Sequence, residues 1–232
     1  MRRREFVASS LLTVSASRVR AEPAPGASGT VVLELFTSQG CSSCPPADAF
    51  LGELSRRPGV IGLSWHVDYW NNLGWRDPFA RRAWTDRQRE YARRLNAEVY
   101  TPALVINGVA VLVGSDKAAV YQAIEQAAPP RVAVALRRTS SGLEAEIATT
   151  SAPVSGLLAT YDPEQSTPVD AGENGGRRLT EYRIVREAME LERLSPRLTL
   201  PGVPVNRGAV LLLRDASWRV VGAADLPPTG SS

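Results

Sequence analysis

Cys41 and Cys44 are the only two cysteines in the 232 residues, and they stand where an apolar run gives way to Pro45-Pro46. This junction constrains the chain more than any other feature. Val31-Val32-Leu33-Glu34-Leu35-Phe36 has the texture of a strand buried on both faces. Thr37-Ser38-Gln39-Gly40 interrupts it. The two prolines then suit the first turn of a helix, where a missing N–H costs nothing, and Ala47, Phe50, Leu51 and Leu54 continue at helical spacing. Cysteines three apart at a helix start can close a small disulfide ring. The first sulfur also meets the free N–H groups and positive dipole of the helix end. Such placement lowers a thiol pKa from roughly 8.5 to between about 3.5 and 7.5. Cys41 is therefore the expected attacker and Cys44 the expected buried resolver. The bland alternatives are an inert structural disulfide and half of a zinc site. A structural zinc wants four N or S ligands, and the chain offers one histidine beside the two cysteines. No metal or other cofactor is expected.

The following elements read as parallel α/β. Arg56-Arg57-Pro58-Gly59 ends the first helix, and Val60 to Val67 is a second strand. Asp77-Pro78 offers an N-cap followed by Pro at N1, so a helix is expected from there towards Leu95. Ala103 to Ile106 is a third buried strand. Asn107-Gly108 is a hairpin signal with Val109 to Val113 as its second arm, and one more helix runs from Ser115 to about Ala128. Past Pro129-Pro130 the texture changes to alternating runs. Val132–Arg138, Leu143–Thr149, Leu157–Tyr161, Glu181–Arg186, Val210–Arg214 and Trp218–Ala223 all read as strands. The expectation is an α/β domain over residues 30–128 carrying an aromatic, helical insertion. A smaller, mainly antiparallel, sandwich-like β domain follows over 131–226, and 227–232 form a disordered tail.

The N-terminus carries Met1-Arg2-Arg3-Arg4-Glu5-Phe6-Val7 and a short apolar stretch to about Ala16, the pattern of a secretory signal over residues 1–21. Val19-Arg20-Ala21 provides a cleavage site, with Ala16 as a second. Arg3-Arg4-Glu5-Phe6 also resembles a twin-arginine signal. Residues 22–29 make a flexible lead-in. A soluble protein in the periplasm, or secreted, is expected, with no stable membrane insertion. The net charge of +3 and scattered arginines give no reason to expect nucleic acid.

Further residues invite chemistry. Thr101-Pro102 precedes the third strand, as a cis-proline beside the C-x-x-C does in thioredoxin-like proteins, where the preceding residue offers its backbone to an extended substrate. An ordinary trans bond is the alternative, but the thioredoxin order of the elements favours cis. His66, the single histidine, falls at the C-terminal end of a predicted parallel strand, where α/β ligand sites gather. It is either a partner for the Cys41 thiolate or a corner residue bonded to Asp68 or to backbone. No G-x-S-x-G turn supports a hydrolase triad. Tyr69, Trp70, Trp75, Phe79, Trp84 and Tyr91 either wall a cleft or pack the insertion down. Arg81, Arg82, Arg87, Arg89, Arg93 and Arg94 read as a solvated helix face. Gly172-Glu173-Asn174-Gly175-Gly176-Arg177 lacks a P-loop's spacing and reads as a tight turn.

The segments Leu35 to Asp48, Trp65 to Asn71 and Tyr100-Thr101-Pro102, with the run Gly172 to Arg177, resemble one bacterial group. These are the secreted thioredoxin-like proteins of domain-of-unknown-function family 1223. The resemblance covers most of the mature chain and implies a thioredoxin-like fold and export, but no substrate.

Three functions are weighed. The leading one is a thiol–disulfide oxidoreductase acting on protein or peptide disulfides through Cys41 and Cys44, with Thr101 and Pro102 holding the partner. The others are a binding module with a structural disulfide, and a Cu(I)-handling protein using both thiolates. Oligomeric state is not legible.

Overall fold

The computed structural model describes residues 30–152 and 154–229. The expected signal peptide, lead-in and last three residues lie outside them. Among the described residues no helix is long and apolar enough to cross a membrane.

The first half forms β1 (Val31–Thr37), α1 (Pro45–Leu54), β2 (Val60–His66), α2 (Arg82–Leu95), β3 (Ala103–Ile106), β4 (Ala110–Val113) and α3 (Lys117–Gln126). β1 is buried along its whole length. Its period of two divides the core. Val31, Leu33 and Leu35 face Phe50, Leu51 and Leu54 of α1 and Val120 of α3. Val32 and Phe36 face the opposite side, with Trp84 and Tyr91 of α2. β1 pairs in parallel with β2 and antiparallel with β3, and β3 pairs antiparallel with β4. The β3–β4 turn uses Asn107 at φ 47° and Gly108 at φ 68°, the left-handed pair that an Asn-Gly hairpin requires. A side chain at Gly108 would also collide with the carbonyl of Trp218.

One helix starts later than its sequence suggests. Asp77-Pro78 does not open α2, which begins at Arg82. The Asp77 carboxylate is committed elsewhere, as described below, and residues 77–81 form a turn on the way into the helix.

After α3 come β5 (Val134–Thr139), β6 (Gly142–Ile147), β7 (Ser155–Val169), β8 (Arg177–Leu191), β9 (Arg197–Leu200), β10 (Gly208–Arg214) and β11 (Val220–Leu226). These strands were expected to form a sandwich of their own, but four of them extend the first sheet. Its order is β11-β10-β7-β8-β2-β1-β3-β4, and only β5, β6 and β9 make a separate antiparallel sheet. The junction is β8, which meets β2 in parallel at Ile184 and Ser64. Apolar residues drive the smaller sheet onto one face of the large one, with Val134, Leu143, Ala145 and Leu200 packed against Leu158, Leu211 and Leu213. The expected loose tail is held at Thr229, whose N–H donates to Val205 C=O at 2.9 Å.

β7 and β8 are 15 residues each, much longer than the apolar runs that announced them. β10 covers β7 only from Ser155 to Tyr161. Beyond Asp162 the hairpin continues past the sheet, pairing with itself to Val169 and Arg177. Glu164, Gln165, Ser166, Arg177 and Arg178 are exposed there, so these arms lack the apolar alternation of a half-buried strand. Gly52 of α1 lets the Tyr182 ring of β8 lie directly on the helix backbone. The tip of the hairpin thereby reaches the cysteines.

Candidate functional site

β1 ends at Thr37, and the next four residues turn the chain into α1. Gly40 N–H donates to Ser38 Oγ at 3.1 Å, and Cys41 N–H donates to Ser38 C=O at 3.1 Å. Cys44 is the N-cap of α1, with prolines at the first two helical positions. Cys41 and Cys44 are joined as a disulfide, and both are fully buried. The Ser43 hydroxyl lies 3.3 Å from Cys41 Sγ, which in a disulfide can only accept.

Thr101-Pro102 is a cis peptide, as expected. An added Cβ on Gly114 would lie 3.2 Å from Ala47 Cβ and 3.5 Å from Pro102 Cβ, which sets Pro102 beside the first turn of α1. Thr101 Oγ1 accepts from Trp70 Nε1 at 2.9 Å. Trp70 Cβ in turn would sit 3.0 Å from a side chain on Gly40. The cysteine loop, Trp70 and Thr101 therefore form one surface.

The aromatic set divides. Phe79, Trp84 and Tyr91 are core residues, whereas Tyr69, Trp70 and Trp75 are half-buried. Trp75 Nε1 donates to Gln39 Oε1 at 3.0 Å. The arginines divide as well. Arg87, expected on the solvated face, is buried in a two-pronged contact with Glu34 of β1 at 2.7 and 3.0 Å and bonds Tyr91 Oη at 3.2 Å.

His66 is fully buried and does not pair with Asp68, which accepts instead from Thr85 Oγ1 at 2.6 Å. Its Nδ1 lies 2.7 Å from Asp77 Oδ2, and Phe79 presents its ring edge-on. Asp77 also accepts from Gln39 N–H at 2.8 Å and from Phe79 N–H at 2.8 Å. Gln39 Nε2 donates to Glu181 Oε2 of β8 at 2.8 Å. A buried network therefore underlies the loop that carries the cysteines, and its acids come from both halves of the chain.

Asp48 belongs to this network. It stands one helical turn beyond Cys44 on the same face, and its N–H donates to Cys44 C=O at 3.1 Å. Burial, with the Glu181 charge nearby, pushes its carboxyl up to about 8. Burial opposes a charge on His66, but Asp77, Glu181 and Asp48 together overcome it and lift the imidazole to about 9. The His66 charge and the hydrogen bonds it receives hold Asp77 below its usual range despite burial, while burial raises Glu181. At neutral pH the cluster thus holds an imidazolium beside the ionised Asp77, and Asp48 keeps its proton. Among the described residues, Asp48 Oδ1, Glu181 Oε1, His66 Nε2 and Thr37 Oγ1 have no hydrogen-bond partner.

The hairpin tip closes the other side. Asn174 is fully buried and donates through Nδ2 to Gln39 C=O and to Cys41 C=O, both at 2.9 Å. Its Oδ1 accepts from Arg177 at 2.6 Å. Glu173 Oε2 accepts from Ser42 N–H at 3.0 Å, and Ser42 holds its carboxyl below the usual range.

Of the residues expected to act, Cys41, Cys44 and Pro102 are buried around the first turn of α1, Thr101 is half-buried beside Trp70, and His66 has no contact with solvent. The sequence reading gave no role to Asp48, Gln39, Asn174, Glu173 or Glu181. Asp48 did leave a trace, being an acid inside the apolar stripe Ala47, Phe50, Leu51.

This arrangement has known relatives. A family model described as a protein of unknown function (DUF1223) matches residues 32–205. The chain belongs to that family. The crystal structure of a structural-genomics target from Agrobacterium tumefaciens is similar to this DUF1223 chain at 30% identity, with a TM-score of 0.76, over 87% of this chain and 96% of that one. No curated protein matches it.

Proposed function

We propose that this DUF1223 protein is an exported thiol–disulfide oxidoreductase whose first half is thioredoxin-like and whose partners are protein or peptide disulfides. The observation that carries the reading is a disulfide-bonded cysteine pair at the N-terminus of α1 with a buried carboxylic side chain, Asp48, one turn behind it. The sheet order β2-β1-β3-β4, the pair after β1 and the cis Thr101-Pro102 before β3 support a thioredoxin-like half.

In the reducing direction, the Cys41 thiolate attacks one sulfur of a partner disulfide, and the other partner sulfur leaves as a thiolate. The Cys44 thiolate then attacks Cys41 Sγ and expels the second partner thiolate. The partner gains two electrons, and Cys41–Cys44 loses two. The oxidising direction is the reverse, and Cys44 then leaves as the thiolate. An ordinary thiol has a pKa of about 8.5, and the raised Asp48 carboxyl one turn beyond Cys44 is matched to it as a proton donor and acceptor. His66, Asp77 and Glu181 are positioning residues that set the charge around Asp48. Thr101 would receive the partner's backbone, since nothing among the described residues hydrogen-bonds its N–H or C=O.

A second reading is favoured by one observation. Neither cysteine is exposed, as befits a structural disulfide in a binding module. The reduction potential of the pair in glutathione buffers separates the two. A value between roughly −120 and −270 mV supports exchange chemistry, and a value below about −300 mV ends it.

A further inference from the structure

We infer that the tip of the β7–β8 hairpin is a gate over Cys41–Cys44, with Asn174 and Glu173 as specificity-determining residues that keep small thiols out and admit a partner polypeptide able to displace the tip. The inference rests on the oxidoreductase reading.

Several observations converge on it. The sulfurs are fully buried although Ser42 and Ser43 between them are exposed, so the covering comes from elsewhere in the fold. The Asn174 side chain, 0% exposed, spends both amide hydrogens on the carbonyls of Gln39 and Cys41. Its carbonyl is held in turn by Arg177. Glu173 takes the Ser42 N–H, a donor that an extended peptide entering this site would otherwise use. The tip is also braced from the side. A side chain added at Gly172 would lie 3.1 Å from Trp75 Cβ and 3.4 Å from Leu73 C=O. The loop carrying Trp70, Leu73 and Trp75 and the tip carrying Gly172 to Asn174 thus meet as a collar.

The collar is built to open. Beyond Asp162 and Ile184 the hairpin has no neighbouring strand in the sheet, and its tip turns through Gly172 at φ 73° and Gly176 at φ 80°. Its contacts with the cysteine loop are polar, hydrogen bonds that water or an incoming backbone can replace at little net cost. Leu73, 55% exposed on the facing loop, offers an apolar foothold beside them. A polypeptide can replace these bonds with its own backbone groups, whereas a single small thiol cannot.

The test follows reduction of the Cys41–Cys44 disulfide by glutathione, in which two glutathione molecules supply two electrons and two protons and end as glutathione disulfide. Asn174→Ala is expected to raise the rate at least tenfold. Reoxidation by glutathione disulfide should accelerate equally, leaving the equilibrium within threefold of wild type. A change that merely strained the oxidised state would speed reduction alone, and that outcome, like unchanged rates, overturns the gate. Should Asn174→Ala fail to fold, the exposed Glu173→Ala decides. A threefold rise in both rates supports the gate, and none overturns it. A pair that stays oxidised in strongly reducing glutathione buffers would end the oxidoreductase reading instead. The gate would then be judged by the rate at which a phosphine reduces each variant.

Discussion

Asp48 and Cys44 occupy the same face of α1 one turn apart, the N–H of the first donating to the C=O of the second at 3.1 Å. Asp48 is 3% exposed, and burial with the Glu181 charge raises its carboxyl to about 8 one turn beyond the resolving cysteine. Asparagine fits the same space but carries no acidic proton. Asp48→Asn should slow exchange with a model peptide disulfide about 100-fold at neutral pH, the low end of general acid–base effects. It should also abolish an inflection near pH 8 in the rate profile. An unaltered inflection would show that the proton comes from another group.

Cys41 and Cys44 should differ in what they trap. With Cys44→Ser, attack by Cys41 stalls at the mixed disulfide, so a covalent complex with the peptide accumulates and is released by reductant. Cys41→Ser should trap little. Non-reducing electrophoresis and intact mass read both variants, and equal trapping would reverse the assigned roles.

The buried cluster makes stability pH-dependent with a definite sign. Asp48 is raised from 3.8 to about 8 and His66 from 6.5 to about 9. The folded state therefore binds more protons than the unfolded state between pH 6.5 and 8, and stability falls as pH rises through that window. The His66 contribution is complete below pH 6.5 and is lost through pH 9. Asp77, whose pKa is lowered, acts oppositely, and its contribution disappears only in acid. Calorimetry should show Tm declining from pH 6.5 to 9, by roughly 2–4 °C per kcal/mol lost. Asp48→Asn should flatten the decline. A Tm that is level across this range would contradict the assigned protonation states.

Arg87 and Glu34 predict a non-additive pair. Removing one partner strands a buried charge, so Arg87→Ala should cost about 3–5 kcal/mol. Arg87→Met with Glu34→Leu should recover most of that loss, because both charges leave together. Urea titration of Arg87→Met, Glu34→Leu and the double variant measures the coupling. Independent, additive losses would mean that the pair is solvated.

The parts of this molecule that could be read from sequence are those whose signal is local. The all-apolar β1, the cysteines before two prolines and the Asn-Gly turn each announce themselves within a few residues, and each stands where it was expected. The hairpin tip could be read only as a turn. Glycines and polar residues write any turn alike, and the partners of Asn174 lie 133 and 135 positions away. Arg87 was lost in a run of arginines, although its spacing of three from Trp84 and four to Tyr91 places it on the buried stripe of α2. Asp77 was misassigned because Asp-Pro is a sound helix start, and nothing nearby reveals that His66 claims its carboxylate. The second-half strands were seen, but the pairing of β8 with β2 joins runs more than a hundred residues apart.

The long reach of Asn174 also orders events in the life of the chain. Ribosomes release a polypeptide from its N-terminus, so Cys41 and Cys44 emerge more than a hundred residues before the side chain that covers them. The covering therefore forms late: the two Asn174 bonds close stretches of 135 and 133 residues, so the cysteine loop can be capped only once most of the chain has folded.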